Sequence, residues 1–137
     1  MMIYAEVAVT IRRPRHDVAA VMFDPRYEVG WIGGMMASTS TPPGPLRRGA
    51  MIVRELHRFG RRMTEQREVT DYVPERRVET LSRGPWHVHI GYELEGIPEG
   101  TIARIIVEGR PPGWARFLAP VIDLMLRRAV IRDLDRL

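Results

Sequence analysis

Residues 86–108 read WHVHIGYELEGIPEGTIARIIVE, and this stretch decides the fold. In its first half Trp86, Val88, Ile90, Tyr92 and Leu94 share one side of an extended chain, while His87, His89, Gly91 and Glu93 share the other. A period of two marks a half-buried β-strand. Gly96 to Gly100 turns the chain, and residues 101–108 resume as a further strand. The same grammar recurs upstream. Residues 76–82 follow a turn at Pro74-Glu75, residues 50–58 and 62–73 bracket Phe59-Gly60 as a hairpin, and Met35–Ser40 is a weaker strand before the loop Thr41-Pro42-Pro43-Gly44-Pro45. At the start, Ile3, Ala5, Val7, Val9 and Ile11 alternate with Tyr4, Glu6, Ala8 and Thr10, which gives the first strand.

Two short helical stretches separate the first strand from the second. Pro14 suits a first helical turn, where its missing N–H costs nothing, and Val18, Val21 and Met22 give the stripe. Asp24-Pro25 stops that helix, because a residue before proline avoids the α region. Arg26 to Ile32 forms a second short stretch, ending at Gly33-Gly34. Downstream, Pro111-Pro112-Gly113 closes the strand region. Residues 114–137 then carry helical spacing through Phe117, Val121, Leu124, Met125, Arg128, Ile131 and Leu134. Pro120 either starts the regular part of this helix or kinks it. The expected class is α+β: a seven-stranded antiparallel sheet, two short helices after strand 1, and one long C-terminal helix over a face of the sheet.

Composition narrows the function classes. The chain of 137 residues is one domain's worth, and 45% apolar with 28% charged residues is the balance of a globular protein. No apolar run approaches the roughly 20 residues of a membrane span. Met1-Met2-Ile3-Tyr4-Ala5-Glu6 lacks a basic region followed by an apolar block, so no signal peptide is expected and the cytoplasm is the expected compartment. Cysteine is absent, which removes disulfides and thiolate metal sites. The net charge of +4 invites a nucleic-acid reading, but all 21 basic residues are Arg, and neither Lys nor Asn occurs. That pattern is what codon bias in a GC-rich genome produces, and it says nothing about partners. The arginines are scattered, with doublets such as Arg47-Arg48 and Arg61-Arg62 at turns, so no specific nucleic-acid partner is expected.

Several motifs, in order, resemble the START-like superfamily, also called SRPBCC or helix-grip, and within it the polyketide cyclase/dehydrase and lipid-transport branch. They are Val9-x-Ile11, Arg13-Pro14 with Asp17-Val18, and Phe23-Asp24-Pro25 with Trp31 after it. Further on stand Val69, then Pro74 and Arg77, and finally Gly100-Thr101 before an alternating strand. The likeness spans nearly the whole chain, with Glu99 where the family has a second Gly before Thr101. It implies one domain, residues 1–137, whose sheet wraps the C-terminal helix around a cavity for a small hydrophobic or amphipathic molecule. A carrier or sensor is the first function implied; the alternative is a polyketide cyclase/dehydratase-type enzyme in the same cavity. No catalytic residue carries over, because the superfamily has no shared catalytic signature. No cofactor or metal is expected, and the assembly is a monomer or homodimer.

The candidate cavity residues follow from strand register. A three-residue loop in the 50–69 hairpin sets Glu55 against Glu65, a like-charge pair that costs stability. A two-residue loop at Phe59-Gly60 pairs Leu56 with Met63, Arg54 with Glu65 and Ile52 with Arg67, and is preferred. Ile52, Leu56, Met63 and Val69 then face inward and bring Arg54, Glu65 and Arg67 with them. Inward charges need partners. Arg54 with Glu65 supplies one pair and leaves Arg67 to hold a carboxylate or phenolate; in the competing reading all three reach solvent at an open rim. Trp31, at the end that the second short helix closes in the resembled fold, and Tyr92 complete the candidate lining, and Met35, Met63 and Met125, if inward, add a compliant apolar one; in the competing reading Trp31 and these methionines are plain core. His87-x-His89 shares its face with Glu93 and is expected to point to solvent, as is His57.

Overall fold

Alternating apolar residues drive Ile3–Ile11 into the first strand, β1, and Pro14 ends it. A computed structural model of the chain describes residues 3–32, 35–58, 60–82 and 87–110. The carbonyl of Pro14 accepts from the amides of Asp17 and Val18 at 3.0 and 3.2 Å, which starts helix α1, Arg15–Met22. Asp17 in the first turn complements the helix dipole. The helix buries Val18, Ala19 and Met22, and Phe23 caps it through its amide to Ala19 O at 3.0 Å.

Asp24 then accepts from the Arg26 amide at 3.0 Å and from its guanidinium, holding a single 3₁₀ turn, Pro25–Tyr27. One further turn, helix α2 (Glu28–Trp31), turns both Glu28 and Trp31 inward. Residues three apart share a helix face, so these two side chains arrive together.

Six more strands follow: β2 (Met35–Thr41), β3 (Met51–Arg58), β4 (Arg61–Val73), β5 (Arg77–Ser82), β6 (His87–Ile97) and β7 (Gly100–Arg110). They form one antiparallel sheet in the order β1-β7-β6-β5-β4-β3-β2. The hairpin of β3 and β4 turns tightly at Gly60, whose φ is 73°. It pairs Arg54 with Glu65, Leu56 with Met63 and Ile52 with Arg67, the register that charge placement favoured. Register shifts at Met35/Ala37 and Val69/Asp71 mark bulges, which bend strands and deepen the curl of the sheet.

Closure of β1 onto β7 depends on one glycine. Gly100 sits at φ 150°, and a Cβ there would lie 2.1 Å from the carbonyl oxygen of Ile11. The adjacent Thr101 hydroxyl donates to the Arg13 carbonyl at 2.7 Å and fixes the same corner. The inner face of the sheet and both helices share one core that includes Met22, Phe23, Trp31, Ile52, Leu56, Val69, Val78 and Leu94. Residues 114–137, read as the long helix, lie outside the described residues, as does Met125.

Candidate functional site

An apolar inner face is what alternation produces, and most of this one is apolar. Its exception is a set of buried polar side chains running across it. Arg54 on β3, Arg67 on β4, Thr80 on β5 and Tyr92 on β6 are each no more than 5% exposed. Glu28 on α2, 1% exposed, descends onto them from the helix side.

Glu28 is the first partner of Arg54. Arg54 Nη2 donates to Glu28 Oε2 in a very short contact, and Nε donates to Oε1 at 3.3 Å. The Ser38 hydroxyl, on β2, donates to Glu28 Oε1 at 2.6 Å. Glu65 lies 3.6 Å from Arg54 Nη1 and accepts from Arg67 Nη1 at 2.9 Å, so it bridges the two arginines. Arg67 also donates from Nε to Thr80 Oγ1 at 2.9 Å and from Nη2 to the Val88 carbonyl at 2.8 Å. Arg54 Nη2 reaches Tyr92 Oη at 3.5 Å, a long contact. Trp31 meets the Tyr92 ring edge-on at 5.8 Å between centroids.

The electrostatics follow from burial and these partners. Burial works against the Arg54 charge, but Glu28, and after it Tyr92 and Glu65, outweigh that effect and raise its pKa. Burial dominates at Arg67 and lowers its pKa, with Glu65 opposing. Burial also raises the Tyr92 pKa, partly offset by Arg54, so the phenol is protonated at neutral pH. The cluster thus holds two arginines, two glutamates and the neutral Tyr92 phenol, together with the Ser38 and Thr80 hydroxyls.

Two expectations change. Arg67 is not free for a ligand acid: three groups occupy its guanidinium, and it is fully buried. Arg54 does lie opposite Glu65, yet its tighter partner is Glu28, which register within one hairpin could not reveal. Glu28 did leave one signal, a carboxylate three residues before Trp31 on a helix of a single turn. The structure brings together Trp31, Arg54, Glu65, Arg67 and Tyr92, with Met35 in the adjoining core. For Met63 the backbone position is described, opposite Leu56.

Other features lie off this face. His57 and His87 are exposed, and His89 stands 4.0 Å from Glu79. Among the described residues no three of His, Asp and Glu gather as a metal-binding set, and no helix is long and apolar enough to cross a membrane. Two surface grooves of about 350 and 340 Å³ flank Arg76–Arg77 and the α1 end of the molecule, and neither is lined by the buried cluster.

No family model and no curated protein matches the chain. Solved structures do. The di-domain ARO/CYC StfQ from the steffimycin biosynthetic pathway superposes with a TM-score of 0.81 at 7% identity, covering 99% of this chain and 49% of that one. DynU16, a protein in the dynemicin biosynthetic locus, gives 0.68 at 22% identity, covering 98% and 45%. A protein of Nitrosomonas europaea gives 0.74 at 13% identity, covering 98% and 93%. The chain thus spans about half the length of StfQ and DynU16. These likenesses show the fold: a curled, seven-stranded antiparallel sheet with short helices after its first strand.

Proposed function

We propose that the chain binds a small hydrophobic or amphipathic molecule against the inner face of its sheet, as a carrier or sensor. The observation that carries this reading is the buried Glu28–Arg54–Glu65–Arg67 set beside Tyr92 and Trp31 on an otherwise apolar wall. Stability alone does not call for such a set, since apolar replacements of buried ion networks are often as stable. A few convergent polar groups on an apolar lining are the signature of a small-molecule site. Native mass spectrometry of the freshly purified protein tests it. A co-purified lipid or aromatic compound is expected, released on denaturation. Protein that is free of adduct and also fails to bind an apolar dye at micromolar concentration overturns the reading.

A second reading is a cyclase/dehydratase-type enzyme acting at the same face. Tyr92 favours it as a buried, protonated phenol beside a guanidinium, a group able to donate a proton to a reacting carbonyl. The names of StfQ and DynU16 add support by likeness of fold alone.

A further inference from the structure

The charges of the cluster balance among themselves. Each arginine is paired to Glu28 or Glu65 or both, and Glu65, at 28% side-chain exposure, is the most open of the four. Nothing in this set is left over for an anion. An incoming carboxylate would lose its hydration, meet the two glutamates, and find both guanidinium groups already engaged.

Tyr92 is different. Among the described residues its hydroxyl has one hydrogen-bond partner, Arg54 Nη2, and a guanidinium can only donate. The phenolic oxygen is therefore the acceptor in that contact, and its own proton has no acceptor within the described residues. A buried donor without an acceptor is costly, and a ligand oxygen is the group that relieves it.

Building on the ligand-binding reading above, we infer that this site selects an uncharged ligand carrying an acceptor oxygen, a ketone or an ester, for the Tyr92 hydroxyl, and discriminates against carboxylates. Glu65 then acts as the gatekeeper of charge: it sits at the open side of the set and compensates both arginines. Removing its charge leaves one arginine's worth of positive potential facing the ligand.

The test uses an anthroyloxy-labelled stearate and its methyl ester, each titrated by probe fluorescence below its aggregation limit. Any apolar site prefers an ester to a carboxylate, so the variants carry the decision. Tyr92→Phe should weaken the ester by about fivefold, the loss of one hydrogen bond, and leave the carboxylate unchanged. Glu65→Gln should strengthen the carboxylate by about tenfold and leave the ester unchanged. Equal effects on both probes in both variants, or a wild-type site that holds the carboxylate more tightly, would overturn the inference while the ligand-binding reading stands. If the folded wild-type protein binds neither probe, the ligand-binding reading fails and takes the inference with it. Circular dichroism checks folding; if Glu65→Gln does not fold, the Tyr92→Phe result decides.

Discussion

Glu28 and Arg54 should be the strongest energetic coupling on the sheet's inner face, and a double-mutant cycle with Glu28→Gln and Arg54→Met measures it. Both side chains are nearly inaccessible, at 2% and 5% exposure. At the 3.3 Å contact, unit charges attract by about 5 kcal/mol at an effective dielectric near 20. Desolvation takes back much of this, and the net contribution of such pairs is small. Breaking one is another matter, at about 3–5 kcal/mol, because the survivor is stranded. Here Glu65 stands 3.6 Å away and partly compensates a stranded Arg54. Each single change should then cost about 3 kcal/mol, and the pair should show a coupling of about 2 kcal/mol. The Arg54–Glu65 cycle should give under about 1 kcal/mol, since Glu65 is part-exposed and already held by Arg67 at 2.9 Å. Urea denaturation followed by fluorescence and circular dichroism, with unchanged m-values, provides the free energies. A larger coupling to Glu65 than to Glu28 would refute the assignment of Glu28 as principal partner.

The remaining predictions concern the two corners of the fold. Hydrogen bonds from the Arg26 side chain hold the Asp24 pKa below its ordinary 3.8, so Asp24 stabilises the folded state above that value, and the contribution is lost as pH falls through the lowered folded pKa. Asp24→Asn should therefore lose less stability than wild type on acidification from about pH 5 to about pH 2, and parallel melting curves across that range would refute this. At Gly100 an added methyl meets the Ile11 carbonyl oxygen at 2.1 Å, so Gly100→Ala should cost about 2–4 kcal/mol and lower Tm by roughly 10 °C or more. A Tm within about 2 °C of wild type would mean that the corner rearranges freely.

How far the sequence speaks depends on where each signal resides. A half-buried strand carries its evidence in its own residues, so β6 could be read from Val88, Ile90, Tyr92 and Leu94 alone. The hairpin register was legible because one alternative sets Glu55 against Glu65, a local cost. The saturation of Arg67 was not legible. Two of its acceptors are Thr80 on β5 and the backbone carbonyl of Val88 on β6, and a carbonyl has no sequence signature. Glu28 escaped because a helix of four residues is too short to show a period, and its partner lies 26 positions away. The register shift between Val69 and Asp71 likewise has no signature among the residues around it.

The pairing of β1 with β7 also has a consequence in time. Every other neighbour in the sheet is a neighbour in sequence, so β2 through β7 can zip together hairpin by hairpin as each turn closes. Strand β1 has no such partner at hand: Ile3 lies opposite Gly109 and Ile11 opposite Thr101. Closing that contact means confining almost the whole sheet-forming chain at once, the kind of step that slows folding. On a ribosome, the edge of β1 that carries Val7, Val9 and Ile11 therefore waits for its partner until β7 has emerged, so the first strand of this sheet to be made is the last to be paired.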